Sequence, residues 1–185
     1  MNVLKLVALV VMSLASTSCS SDDEGSSENL DFGNFELSVT GDFTQETNGF
    51  ADFDSLSAFG VNSWEISMND TNPSTVSLQL SLVSSTGEVS QPSPGTYEIG
   101  FEANSNNVFY AIYTHIPNGN FMQAVEYSTI NEGETSYGGT LEIEESTNDL
   151  VKGSFQFTAA SVDDNFNVIG EISVSGEFTA KKRIN

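Results

Sequence analysis

Apolar and polar residues alternate with a period of two over most of the chain beyond residue 33, the pattern of strands that bury one face. Phe35, Leu37 and Val39 alternate with Glu36, Ser38 and Thr40, and Trp64, Ile66 and Met68 with Glu65, Ser67 and Asn69. Val76, Leu78, Leu80 and Leu82 alternate with Ser77, Gln79 and Ser81, and Tyr97, Ile99 and Phe101 with Glu98, Gly100 and Glu102. The C-terminal third continues the pattern: Leu141 and Ile143 against Glu142 and Glu144, Phe155, Phe157 and Ala159 against Ser154, Gln156 and Thr158, then Ile172, Val174 and Phe178 against Ser173 and Ser175. These last runs predict consecutive antiparallel strands joined by polar turns at Ser146–Asp149 and Asp163–Asn165. One segment, Val108-Phe109-Tyr110-Ala111-Ile112-Tyr113, is apolar at nearly every position and predicts a central strand covered on both faces.

No stretch beyond residue 33 holds a helical period over 11 or more residues, although residues 54–59 predict one short helical turn. Turn residues recur at Asn69-Asp70-Thr71-Asn72-Pro73, Gln91-Pro92-Ser93-Pro94-Gly95 and Pro117-Asn118-Gly119-Asn120. The fold class that follows is all-β, an antiparallel β-sandwich or barrel-like domain of about nine to ten strands over residues 34–185. The period does not choose between two packed sheets and a closed barrel. The phrases Val39-Thr40-Gly41-Asp42-Phe43, Val151-Lys152-Gly153-Ser154-Phe155 and Val174-Ser175-Gly176-Glu177-Phe178 are alike but irregularly spaced. They predict a recurring strand solution, glycine where another backbone approaches and phenylalanine toward the core, and not a repeat architecture.

The first residues follow another rule. After Lys5 comes the apolar run Leu6–Ala15 and then Ser16-Thr17-Ser18-Cys19, the layout of an export signal. The run is too short for a span, which takes about 20 apolar residues. Residues 1–18 therefore read as a cleaved lipoprotein signal peptide, with Cys19 as the lipidated first residue of the mature chain. Ser16 stands where an aliphatic residue is commonest in such sites. Cys19 is the only cysteine, so no intramolecular disulfide competes for it. Residues 19–33, opening Cys19-Ser20-Ser21-Asp22-Asp23-Glu24, hold too little apolar surface to order themselves and predict a solvated tether.

The acidic run Ser21, Asp22, Asp23 and Glu24 just after the cysteine resembles the surface-export signal of Bacteroidota lipoproteins. In the domain, Gly95-Thr96-Tyr97, Gly139-Thr140-Leu141-Glu142-Ile143, Val151 to Ala159 and Ile172 to Phe178 are similar to uncharacterised β-rich lipoprotein domains of the same group. The resemblance implies an all-β fold and a lipid-anchored place in the outer membrane facing the cell exterior. It supplies no catalytic residues.

Charge narrows the partners. The chain has 26 acidic against five basic side chains, and loss of Lys5 with the signal takes the formal charge from −21 to −22. Nucleic acid is excluded as a natural partner, because no basic patch is available to neutralise phosphates. Lys181-Lys182-Arg183, the one basic cluster, reads as a solvated end.

Candidate chemistry is sparse. The single histidine, His115, closes the apolar strand and reads as a half-buried strand-end residue; with no second histidine and Cys19 lipidated, zinc sites and nucleophile–histidine triads are excluded. Carboxylates such as Glu142 and Glu144, or Glu98 and Glu102, share solvated strand faces, so no enzymatic activity and no resident cofactor are expected. Asp163, Asp164, Asn165 and Asn167 place oxygen ligands at near-alternate positions and form the candidate Ca²⁺ loop, with Asp52 and Asp54 a weaker one. The loop lacks the sixth-position glycine and terminal glutamate of an EF-hand and reads first as a polar hairpin loop. Tyr110, Tyr113, Tyr127 and Tyr137 are the aromatic residues least constrained by strand phase and the candidate glycan contacts. The expected function is a non-enzymatic binding or interaction module of the outer membrane, contacting the membrane through Cys19 and an envelope protein or glycan through its domain. An accessory carbohydrate-binding lipoprotein is the alternative.

Overall fold

The computed structural model describes residues 32–58, 61–70, 74–84, 87, 89–100, 108–130 and 137–183. The signal peptide, Cys19 and the acidic run Ser21–Glu24 lie outside the described residues. The described chain is all-β: β1 (Gly33–Gly41), β2 (Gln45–Ala58), β3 (Val61–Asp70), β4 (Val76–Ser84), β5 (Gly95–Ile99), β6 (Val108–His115), β7 (Val125–Ser128), β8 (Gly138–Ser146), β9 (Leu150–Val162) and β10 (Val168–Lys182). Two short 3-10 turns, Pro117–Gly119 and Phe121–Gln123, lie between β6 and β7.

All ten strands belong to one sheet whose pairings return on themselves. The ladder runs β1, β2, β3, β4, β6, β5, β8, β9, β10 and back to β1, so the barrel-like alternative is the one the hydrogen bonds close. Pairing is antiparallel except between β5 and β6 and at the end of β10 beside β2. β7 bridges the seam, pairing with β6 over Ile112–His115 and with β9 at Ala160. The consecutive antiparallel strands expected in the C-terminal third are β8, β9 and β10, with one register shift between Ile143 and Glu145 and another between Val168 and Gly170. β6, the nearly continuous apolar segment, buries both Ala111 on one face and Ile112 on the other.

The period-two pattern fixes what fills the interior. Phe35, Leu37 and Val39 of β1, Trp64, Ile66 and Met68 of β3, Val76, Leu78, Leu80 and Leu82 of β4, and Ile172, Val174 and Phe178 of β10 all belong to one buried cluster. Trp64 stands edge-on to Phe109 with ring centroids 6.2 Å apart, and Phe155 lies 6.3 Å from Phe178. Burying each such ring contributes about 1.5–3 kcal/mol. The interior is packed by these side chains.

The helical turn expected at residues 54–59 is absent from its described part, residues 54–58. β2 continues through it, because Asp54, Ser55, Leu56 and Ser57 pair with Glu65, Trp64, Ser63 and Asn62 of β3. A short polar segment takes the conformation its ladder partner offers, whatever its local propensity.

The pairings define two ends. The near end holds Gly33, where the chain enters the barrel beside Ala51, the β8–β9 turn before Leu150, and the close of β10, with Lys181 opposite both Leu150 and Asp52. The far end holds the β1–β2 turn beside Glu171, Asp70 and Thr75, the β6–β7 connection, and the β9–β10 hairpin. β1 has nine residues, so about 30 Å separates the ends.

Gly153 and Gly176 show why the recurring phrase carries glycine. A Cβ on Gly153 would lie 2.0 Å from the Glu142 carbonyl oxygen, and one on Gly176 would lie 2.5 Å from that of Glu36. Gly153→Ala is expected to lower stability by about 2–3 kcal/mol through forced separation of β8 and β9. Urea denaturation of the full chain measures it, and an unchanged midpoint would show that the two strands have room to part.

Candidate functional site

At the far end the inward-facing columns of several strands finish in polar groups. Asp70 closes β3, Gln45 opens β2, and Tyr113 and His115 close β6. The Asp70 carboxylate accepts from the backbone N–H groups of Thr75 (2.7 Å) and Val76 (2.9 Å), which fixes the β3–β4 connection. The Gln45 amide donates to the Thr75 hydroxyl at 3.1 Å. Phe43 stacks on the His115 ring at 4.2 Å, and the Tyr127 hydroxyl donates to Asp42 at 3.2 Å. Burial holds the His115 pKa below the ordinary imidazole value, so the ring is neutral at neutral pH. Burial, then the Asp42 charge, pushes the Tyr127 hydroxyl up to about 12. Within the described residues, the buried Tyr113 hydroxyl, Gln45 Oε1 and His115 Nδ1 have no hydrogen-bond partner. His115 is thus a half-buried strand-end residue whose surroundings are apolar and hydroxylic.

Above this polar interior stand exposed apolar side chains. Phe121 and Met122, in the β6–β7 connection, are 71% and 93% exposed; Phe166 and Ile169, in the β9–β10 hairpin, are 59% and 65% exposed. Their loops are tied down. Asn120 accepts from the Met122 backbone N–H at 3.1 Å. Asp163 Oδ1 accepts from the backbone N–H groups of Asn165 (2.8 Å) and Asn167 (2.9 Å), while its Oδ2 accepts from the Asn167 amide at 3.0 Å. These bonds, those from Asn167 foremost, hold the Asp163 carboxyl below the usual carboxylate range. Phe166 sits in the left-handed region at φ 64°, a conformation that costs a non-glycine residue about 1–3 kcal/mol.

Charge is divided between the ends. The four described basic residues, Lys152, Lys181, Lys182 and Arg183, all lie at the near end, because the start of β9 pairs with the close of β10. Asp42, Glu126, Asp163, Asp164 and Glu171 stand at the far end.

No protein-family model, no curated protein and no solved structure matches this chain. The reading of the site therefore rests on its geometry.

Of the aromatic residues expected to contact a glycan, the structure buries three. Tyr113, Tyr127 and Tyr137 are buried, the first two inside the core cluster, and present no ring face to a sugar. Their phase is inward, and the Tyr137 hydroxyl is bonded to Glu171. Tyr110 points outward from β6 but is half-buried. The exposed aromatic rings of the described chain are Phe32, Phe121 and Phe166, outside the strands and not in a row on a sheet face.

The candidate calcium loop lies in the β9–β10 hairpin. Asp163 turns both carboxylate oxygens onto its own hairpin, and among the described residues no group of three or more acidic, histidine or cysteine side chains gathers to hold a metal. Asp163, Asp164, Asn165 and Asn167 form a self-capped turn.

Carboxylates do meet elsewhere. On the outer face of β1, β10, β9 and β8 an open trough of about 960 Å³ is lined by Glu36, Glu142 and Glu177, with Glu46 from β2 and Ser and Thr residues between. Glu36 and Glu177 are direct cross-strand partners, a mutually repelling pair. Both stand exposed to solvent.

The outer face of β2, β3 and β4 behaves in the opposite way. Asp52, Glu65 and Ser81 point outward and are nonetheless buried. Arg183, expected to be a solvated end, bonds the Asp52 carboxylate at 2.6 Å, and Gln79 donates to Glu65. Burial raises the pKa of both carboxyls above the ordinary range.

Two outcomes follow. Phe166→Asn keeps the left-handed turn with a residue suited to it and is expected to raise stability by about 1 kcal/mol, read as a higher thermal midpoint; a lower midpoint would show that the ring is packed. For Glu65, the native state holds its proton more tightly than the unfolded chain. Its favourable contribution is therefore present below the unfolded value of 4.5 and lost as pH rises through the raised native value. Glu65→Gln should be more stable than the wild type at pH 7, with the gap closing toward about pH 4. A constant gap across that range would assign the difference to packing.

Proposed function

We propose that this protein is a non-enzymatic binding module, carried at the cell surface by a lipid on Cys19, which presents the far end of its barrel to an envelope partner. The observation that carries the reading is the polarity of the domain. The chain enters at Gly33 on the near end, whereas Phe121, Met122, Phe166 and Ile169 stand exposed at the other. The chain joins the domain at the near end, so the far end with its exposed apolar groups is the end remote from the point of attachment. Large exposed apolar side chains gathered on neighbouring loops are a feature of interaction surfaces. An enzymatic reading finds less support: the histidine is neutral and half-buried, and the clustered glutamates lie on an open face.

The signal and the anchor are tested together. The full-length precursor should fractionate with membranes and be cleaved by protease added to intact cells, and Cys19→Ser should move it to the soluble fraction. Retention of Cys19→Ser in the membrane would remove the lipid anchor from this account. Protection from protease on intact cells would turn the module inward.

A further inference from the structure

We infer that the far end docks a protein whose apolar pocket is ringed by Lys or Arg side chains, with Phe166 and Ile169 of the β9–β10 hairpin and Phe121 and Met122 of the β6–β7 connection as the inserted groups. This deepens the reading above and rests on it for which end faces outward. The two loops are more than 40 residues apart, and the ladder brings them together: Ser128 of β7 pairs with Ala160, so the connection entering β7 lies beside the hairpin leaving β9. All four side chains are more than half exposed. The backbone supplies an independent argument. Phe166 occupies a left-handed turn position between Asn165 and Asn167, residues that would fill it with less strain and better hydration. Both loops are ordered before any partner arrives, through Asp163 in one and Asn120 in the other, so docking would forfeit little loop entropy.

Charge chooses the occupant. The apolar tips are flanked by Asp42, Glu126, Asp163, Asp164 and Glu171, and the four described Lys and Arg residues lie at the opposite end. A second copy meeting this end would bring two acidic rims together, and an anionic lipid surface would be repelled. A basic rim is drawn in at long range and oriented with its pocket over the tips, where apolar burial supplies the affinity.

The test uses the purified full chain carrying Cys19→Ser, with two fluorescent amphipathic helical peptides that share one Leu/Phe face and carry either Lys or Glu on the other. The Lys peptide should bind, more weakly as salt rises, and the Glu peptide should bind at least about tenfold more weakly. Phe166→Ser/Ile169→Ser should weaken the Lys peptide by about tenfold or more while its thermal midpoint stays at or above that of the parent. Glu36→Gln/Glu177→Gln in the open trough should change binding by less than about twofold. The inference is overturned if the Phe166/Ile169 variant binds like the parent, if both peptides bind alike, or if the trough variant suffers the larger loss. Sedimentation with phosphatidylcholine vesicles, or a dimer dissolved by Phe166→Ser/Ile169→Ser, would overturn it in favour of a lipid surface or a second copy. Peptide binding and anchoring are measured on separate samples. Failure here with normal surface display leaves the anchored module intact, and the converse leaves the docking chemistry intact.

Discussion

The domain depends on the placement of β10. This strand pairs with β1 along one edge and with β9 along the other, and its last residues reach β2. Without it β1 and β9 would both be open edges, each a template for pairing with another chain. With it the ladder closes, and the inward residues Ile172, Val174, Phe178 and Ala180 complete the interior wall. The cost of closure is crowding, which the chain meets by having no side chain at Gly153 and Gly176, where neighbouring carbonyls approach. Closure also determines where function can lie, because a barrel without edges offers only its outer faces and its two ends.

Much of this was legible as period two, and what was missed follows from what that period encodes. Alternation states which residues share a face, and the inward sets named from it are the buried ones: Phe35 with Leu37 and Val39, Trp64 with Ile66 and Met68. It does not state which strand is whose neighbour. The parallel contact of β5 with β6 and the bridging of β6 and β9 by β7 are long-range choices with no local signature, so sandwich and barrel read alike. Asp54 to Ser57 were misread for the same reason, since their strand is imposed by β3. Tyr113 and Tyr127 are part of the ring cluster with Phe43 under the far end, a packing that no spacing rule reveals.

The candidate site was legible in one place and overlooked there. The hairpin Asp163-Asp164-Asn165-Phe166-Asn167 reads as a polar loop with a row of oxygen ligands, yet a phenylalanine between two asparagines at a turn is the less expected residue. Its positive φ and exposure bear that out. The far end as a surface could not be read, because the β6–β7 connection and the β9–β10 hairpin come side by side only through the β7–β9 pairing. The same holds for charge. Lys152 and the Lys181–Arg183 cluster look unrelated along the chain and meet because β9 and β10 form a long hairpin.

That charge arrangement also explains how so acidic a chain keeps the Asp52 carboxylate buried on its outer surface. Asp52 is desolvated, and its charge is tolerated because the end of β10 returns to β2 with Arg183 in place to bond it. Basic residues are scarce, so placing them at the near end leaves the far end without them. An acidic, apolar end and a mixed, ion-paired end are then two consequences of one topology: the hairpin that closes the barrel delivers cations to the side where the chain enters and carries Phe166 and Ile169 to the side facing away from it.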